Sequence, residues 1–334
     1  MSESFHIVVN PQGAGGHALE TLEKIKPLFE GRDIQVHMTS PSNDTEHICR
    51  TLTENIDPED GDVRIIIIGG DGTMNHAVNG IADFEHTLVA LIPAGSANDL
   101  IKDMHPGKSS EKDLVQTILR GECVRRVDVG EVFADLSDRR RKSDRLPGGE
   151  KSTEAADSVF HRYFTVSAGI GFDAACCVLA ERSAIKPLLH KLHLGKLSYL
   201  LAAFALIIRN EKARAIITDT DGNKLKLNRL AFAAAMNHRY EGGGFMFAPQ
   251  AKADDGLLDL CVIHDLNFLS FITLFLAAYD GKHVKKKNKV TMLRAASFRI
   301  KAYQPLWVHF DGETQMKAAD VTFRMSEHKL RFMA

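Results

Sequence analysis

Four consecutive isoleucines, Ile65–Ile68, run straight into Gly69-Gly70-Asp71-Gly72-Thr73-Met74-Asn75. β-branched residues in a row read as a buried strand, and the glycines end it. Glycine lets the backbone take left-handed angles and come close to a ligand. Thr73 and Asn75 lie where a helix opens, and the free N–H groups at such an end favour an anion. Asp71 puts a carboxylate among them, which would repel a phosphate unless a cation lay between. Mg2+ carried by a nucleotide fits that arrangement. A strand-to-helix turn with glycines present only for packing uses the same residues, so this segment alone leaves both readings open.

At 334 residues the chain is long enough for two domains of roughly 100–200 residues each. Apolar residues make up 44% and charged residues 25%, the balance of a globular protein rather than a disordered one. The formal net charge of −1 argues against wholesale nucleic-acid binding and leaves electrostatic targeting to local patches. The five cysteines (Cys49, Cys123, Cys176, Cys177 and Cys261) are odd in number and form no C-x-x-C pair. Neither a disulfide framework nor a zinc site is expected, and a reducing cytoplasm fits best. Met1–Ser4 shows no basic segment followed by an apolar one, so no secretory signal is expected. The longest apolar run, 197–208, falls short of the roughly 20 residues that span a bilayer, so any membrane contact is peripheral.

Strands are predicted over 5–9, 34–39, 63–68 and 88–92, with helices over 18–29, 44–52 and 76–81 between them. That alternation indicates α/β: an N-terminal doubly wound parallel sheet with helices on both faces. Ligands bind such sheets beyond the carboxyl ends of the strands. The turns 10–16, 69–73 and 93–99 all sit at strand carboxyl ends, and their agreement favours the ligand-binding reading. From residue 127 the texture changes to strands with few helices, a β-rich antiparallel second domain. Strands are expected over 127–132 and 163–167 as a hairpin, then 213–219, 224–228, 230–236, 257–263, 298–302, 306–310 and 321–325. Helical stretches are expected over 174–210, broken near Pro187 and Gly195, and over 268–280. The domain reading is 1–126, then 127–320 with a charged surface insertion over 135–158, then 321–334 returning to the first domain.

Gly69-Gly70-Asp71-Gly72-Thr73 with Pro93-Ala94-Gly95-Ser96-Ala97-Asn98-Asp99 resembles the catalytic domain of the diacylglycerol kinase and sphingosine kinase superfamily. Asn10-Pro11-Gln12-Gly13-Ala14-Gly15 is similar to its first nucleotide loop. Ala168–Ala174, Tyr240–Gly244 through Pro249, Asp254-Asp255-Gly256-Leu257-Leu258-Asp259 and Phe310-Asp311-Gly312-Glu313 match further segments in the family order. The nearest likeness is to stand-alone bacterial lipid kinases. Two departures stand out: Gly13-Ala14 where Ser-Gly is common, and the long 135–158 insertion. NAD kinase and phosphofructokinase share the Gly-Gly-Asp-Gly-Thr turn in a similar doubly wound domain, but lack the Asp-Asp-Gly-Leu-Leu-Asp and terminal Asp-Gly-Glu segments at these places.

The resemblance implies ATP-dependent transfer of the γ-phosphoryl group to a lipid hydroxyl, with diacylglycerol giving phosphatidic acid. A sphingoid base, phosphatidylglycerol, or a soluble substrate such as NAD is the alternative acceptor. Positioning and charge neutralisation do most of the work in such transfers. The phosphate cradle is assigned to Gly69, Gly70, Asp71, Gly72, Thr73 and Asn75 with Asn10, Pro11, Gly13 and Ala14. Thr39 and Ser96 contribute from neighbouring strand ends. Asp71 would hold Mg2+ on the nucleotide, and Asp99 belongs to the same network or is an ordinary helix cap. An attacking hydroxyl must shed its proton, which calls for a general base. By the resemblance that base is Glu313, oriented or tuned by Asp311, although Asp-Gly is also a common hairpin pair. Lys252, Asp255 and Leu257 resemble the family's structural Mg2+ loop. The implied partners are ATP and a lipid at a membrane surface, and members of the family are often dimers, although no segment here marks an interface. The lysines of 282–289, next to an apolar helix, offer a contact for anionic headgroups worth about 1 kcal/mol each.

Overall fold

The run Ile65–Ile68 is completely buried, and its side chains alternate between two separate cores. Ile65 and Ile67 pack with Ile48, Met74 and Ala77, while Ile66 and Ile68 pack with Leu22, Ile25, Leu114, Val115 and Ile118. A strand buried on both faces needs helices on both faces. The computed structural model supplies them; it describes residues 4–11, 16–95, 97–105, 110–121, 124–135, 159–182 and 213–334.

The first unit places β1 (Ser4–Val9), β2 (Asp33–Met38), β3 (Val63–Gly69) and β4 (Thr87–Pro93) in the parallel order β2-β1-β3-β4. Helices α1 (His17–Ile25) and α5 (Glu111–Arg120) cover one face; α2 (Thr45–Thr53) and α3 (Asp71–Gly80) cover the other. The short α4 (Asp99–Met104) follows the β4 turn. α1 stops at Ile25 because Pro27 carries the chain into a tight 3-10 turn, shortening the helix expected over 18–29. α4 and α5 were not anticipated. Yet Ser110 and Asp113 form a reciprocal capping box at the start of α5.

The second unit holds β5 (Val124–Asp135), β6 (Val159–Phe164), β7 (Ser167–Gly171), β8 (Ala213–Asp219), β9 (Lys224–Met236), β10 (Leu258–His264), β11 (Val290–Ala295), β12 (Ser297–Phe310) and β13 (Glu313–Met333). Pairing among them is antiparallel. Pairs of expected strands are single strands with a register shift: 224–228 and 230–236 are both β9, and 298–302 and 306–310 are both β12. α6 (Phe172–Arg182) and α7 (Phe268–Tyr279) lie over the sheet face that carries Phe232, Ala234, Met236 and Cys261. Of the helical stretch expected over 174–210 the part from 183 on, and of the insertion expected over 135–158 the part from 136 on, lie outside the described residues.

The two units share one sheet. β13 is 21 residues long; Val321 and Phe323 sit in the second core, while Leu330 and Phe332 sit in the first. Its end runs parallel to β4, with Arg331 opposite Leu88 and Phe332 opposite Val89. β5 follows β13 antiparallel and also feeds both cores, Val127 and Val129 into one, Val132 and Ala134 into the other. A strand so placed transmits a loss of packing in one unit to the other. Phe332→Ala is expected to cost about 3–5 kcal/mol. In urea melts followed by the fluorescence of Trp307, the single tryptophan, the midpoint should fall although Trp307 lies in the other unit. An unmoved Trp307 midpoint would mean that the units unfold separately.

Candidate active site

The segment after β3 enters α3 without a loop. Gly70 is the extended residue before the helix and Asp71 is the first helical one. The parallel turn after β4 lies against it. The Ala94 N–H donates to the Gly69 carbonyl at 2.8 Å, and a methyl group on Gly95 would lie 2.5 Å from the Gly70 Cα. Only glycine permits that approach of two backbones. Asn98, in the left-handed region at φ 53°, closes the second turn by accepting from the Gly95 N–H and donating to its carbonyl. The N–H groups of Asp71, Gly72 and Thr73 have no acceptor within the helix and open toward the same edge.

Asp71 turns its carboxylate to the neighbouring helix. It accepts the N–H groups of Asp99 at 2.9 Å and Leu100 at 3.2 Å, so it caps α4. Burial raises its pKa to about 6; the charge of Asp99 adds to the rise, and the two backbone bonds oppose it. Asp99 is buried beside it. It accepts the Gly243 N–H at 2.7 Å and pairs with Lys102 at 3.0 Å. Asp99 is therefore a tie between α4 and the 240–244 loop of the second unit. A second tie follows one turn later, where Asp103 receives His238 and Arg239.

Asp311 and Glu313 have different tasks. Asp311 takes φ 48° and Gly312 φ 85°, a tight turn between β12 and β13. The Asp311 carboxylate accepts five hydrogen bonds: from the N–H and hydroxyl of Thr165, the N–H groups of Val166 and Ser167, and the amide of Asn75. Those donors occupy both oxygens, so Asp311 anchors the turn that leads to Glu313. Glu313 extends across to the first unit. A methyl group on Gly72 would lie 2.8 Å from its Oε1. A carboxylate at the start of β13 thus faces the N-terminus of α3.

The Asn75 side chain is buried and donates to Asp311 and to the Tyr163 carbonyl, both at 2.9 Å. Asn79 joins it, donating to that carbonyl and accepting the Tyr163 N–H. The pair clamps β6 onto α3, a role that no local motif announces. Asn10 and Pro11 end β1, and Thr39 beside them donates its N–H to the Val9 carbonyl at 2.9 Å. Gly13, Ala14 and Ser96 lie outside the described residues.

The loop carrying Lys252, Asp255 and Leu257 packs against Asp128 of β5. Asp255 accepts the Leu257 N–H at 3.1 Å and is ion-paired with Arg294. Arg294 also approaches Asp259 at 3.6 Å. Asp128 braces the loop by accepting the Gly256 N–H at 2.6 Å, and its own N–H donates to the Ala253 carbonyl. Arg294 pairs with the carboxylate that a cation would use, so Mg2+ at Asp255 would have to compete with this ion pair. Beside the loop opens a cavity of about 650 Å3 lined by Arg125, Arg239, Lys252 and Arg294, with Asp103 and Asp254.

The site generates a contrast. Asp311→Ala would strand buried N–H groups of Thr165, Val166 and Ser167, and is expected to cost about 2–5 kcal/mol in chemical unfolding. Glu313→Gln, which removes no such anchor, should stay within about 0.5 kcal/mol of the parent. Equal losses in the two variants would contradict this division of labour.

Residues 4–132 match the family model of the diacylglycerol kinase catalytic domain, and residues 165–333 match that of the YegS C-terminal NAD kinase beta sandwich-like domain. YtlR of Bacillus subtilis is 30% identical over 253 residues, covering 75% of this chain and 74% of that protein. A diacylglycerol kinase of the same organism is 23% identical over 310 residues, covering 92% and 88%. A crystal structure of a diacylglycerol kinase from Bacillus anthracis superposes with a TM-score of 0.64 at 20% identity, covering 99% of this chain and 96% of that one. At that identity the structural likeness is one of fold.

Proposed function

The chain belongs to the diacylglycerol kinase catalytic-domain family, and from that premise we propose that it transfers the γ-phosphoryl group of ATP to a lipid hydroxyl, with diacylglycerol as acceptor and phosphatidic acid as product. The observation that carries this reading is Glu313 set against Gly72 at the N-terminus of α3. There a base from one unit meets the phosphate-binding end of the other.

The chain's own groups divide the work. The N–H groups of Gly72 and Thr73, with the partial positive charge of the helix end, hold phosphate oxygens. The glycines at 70 and 95 keep side chains out of that space. Glu313 takes the proton from the acceptor hydroxyl as the hydroxyl oxygen forms its bond to the γ-phosphorus and the bond to the β–γ bridging oxygen breaks, ADP leaving with that electron pair; Glu313 later passes the proton to solvent. Asp71, buried beside Asp99 near the sheet's carboxyl edge, would hold the cation directly or through water, its oxygens also accepting the Asp99 and Leu100 N–H groups. Mg2+ bound with the nucleotide would supply charge neutralisation on the phosphates.

A lipid acceptor is supported by α7. Its buried positions Phe271, Leu274 and Ala278 pack inward, yet Leu269, Leu276 and Tyr279 on the other side are 72%, 69% and 57% exposed. No charged residue interrupts the helix, and Lys282, Lys285, Lys286, Lys287 and Lys289 follow it. An exposed apolar stripe beside basic residues is the composition of a surface that rests on anionic lipid. No described helix is long and apolar enough to cross a membrane.

The deciding experiment gives the protein γ-labelled ATP, Mg2+ and mixed micelles of lipid extract. Label in a chloroform-soluble product that migrates as phosphatidic acid is expected. Label in another lipid would reassign the acceptor to a sphingoid base or phosphatidylglycerol, and label confined to water-soluble material would reassign it to a substrate such as NAD. Glu313→Gln is expected to lower transfer by at least 100-fold while ATP still binds; near-parent transfer would remove Glu313 as the base.

A pH profile tests Asp71. Its carboxyl is protonated below about 6, so kcat/KM for ATP should fall as the pH drops through that value. Asp99→Asn removes one of the charges that raise the Asp71 pKa, and the acidic limb should move to lower pH. A limb that stays in place would assign it to another group.

A further inference from the structure

On the sheet face under α6, three ligand-bearing side chains from separate elements converge. Asp173 comes from the first turn of α6, Glu241 from the loop after β9, and His309 from β12. His309 Nε2 lies 3.0 Å from Asp173 Oδ2 and 3.4 Å from Glu241 Oε1. One potential ligand atom from each residue falls within 4.8 Å of the other two. His309 is wholly buried.

As a set of ion pairs this cluster does not close. A single imidazolium faces two carboxylates, and the other charges acting on Glu241 are Asp173 and Asp99, both of the same sign. Glu241 Oε2 has no hydrogen-bond donor. Beside it lies the Ser167 hydroxyl, 0% exposed, a further polar oxygen turned toward Glu241. Gly169 leaves the room: a methyl group there would collide with both Asp173 Oδ2 and His309 Nε2. A neutral imidazole, two carboxylates and a divalent cation sum to zero charge, which the imidazolium arrangement cannot reach with both carboxylates ionised.

We propose that Asp173, Glu241 and His309 form a binding site for a divalent transition cation, with the Ser167 hydroxyl beside it. One imidazole nitrogen with two carboxylate oxygens selects ions of the Mn2+ and Zn2+ class over Mg2+, which prefers oxygen ligands and water. The site shares no residue with the nucleotide cradle or with the Lys252–Leu257 loop. Its cation would tie α6, the 240–244 loop and β12 together beneath the cleft.

The test titrates Mn2+ into the chelator-treated, nucleotide-free full chain, with free Mn2+ read by electron paramagnetic resonance and Zn2+ competing. One site is expected in the parent protein. His309→Gln and Glu241→Gln should each weaken it at least tenfold, and Asp255→Asn should leave it unchanged. Circular dichroism establishes that the variants are folded, and Glu241→Gln keeps the side-chain volume should His309→Gln fail to fold. Absence of Mn2+ binding in the parent, or binding that survives both glutamine variants, would overturn the site and leave the cluster an ion-pair network.

Discussion

The carboxylate of Asp311 holds the functional geometry together. It is the acceptor for three consecutive backbone N–H groups, Thr165 to Ser167, where the chain passes from β6 to β7, and for Asn75 on α3. A single residue thus joins the β12–β13 turn, the crossover and the first unit. Each bond is worth only about 1 kcal/mol net, but each unmade one would leave a buried donor stranded at a larger cost. The left-handed angle at Asp311 is one that Asp tolerates better than most residues. Glu313 reaches Gly72 because this turn is held.

The cleft between the units is bridged by directional bonds and floored by a shared sheet. Asp99 to Gly243, Asp103 to His238 and Arg239, and Asn79 to Tyr163 all cross it. Apolar packing lies to either side, in cores that β5 and β13 run between. This division explains why the polar residues at the crossing are so exacting. A hydrogen bond fixes register and angle where a hydrophobic contact fixes only proximity.

Much of the first unit was legible because its signals are local. Four isoleucines require burial on both faces, and the glycines that follow can be read as a turn without any knowledge of the rest. The second unit was legible in class but not in connection. Leu227 and Leu230 stand at a break in the β8–β9 register, and local polarity there reads as an end when it is only a bulge. The helix over Glu111–Arg120 went unread although Ser110 and Asp113 announce its cap. The bridging roles of Asn75 and Asp311 could not be read, since they lie 236 positions apart in sequence and meet only in the fold. The same holds for Asp173, Glu241 and His309, whose individual segments carry no metal spacing.

Electrostatics links these features. The whole chain is nearly neutral, yet Asp71, Asp99, Asp173, Glu241 and Asp311 gather along one cleft. Backbone N–H groups absorb the charge of Asp311, and Lys102 that of Asp99. Asp71 and Glu241 are left with less help, and their carboxyls rise to about 6 and about 7, with burial the largest cause in each. His309 goes the other way. Burial alone would lower it, but Asp173 and Glu241 overcome that and raise it to about 9. A buried carboxylate without a matching cation either takes up a proton or is balanced by a bound cation. Asp71 stands where the proposed nucleotide would bring its cation, and Glu241 stands where the chain offers an imidazole as well. The two groups of ligands would therefore differ in the ion they suit: oxygen ligands alone, around Asp71, favour a hard cation, and the added nitrogen ligand of His309 favours a softer one.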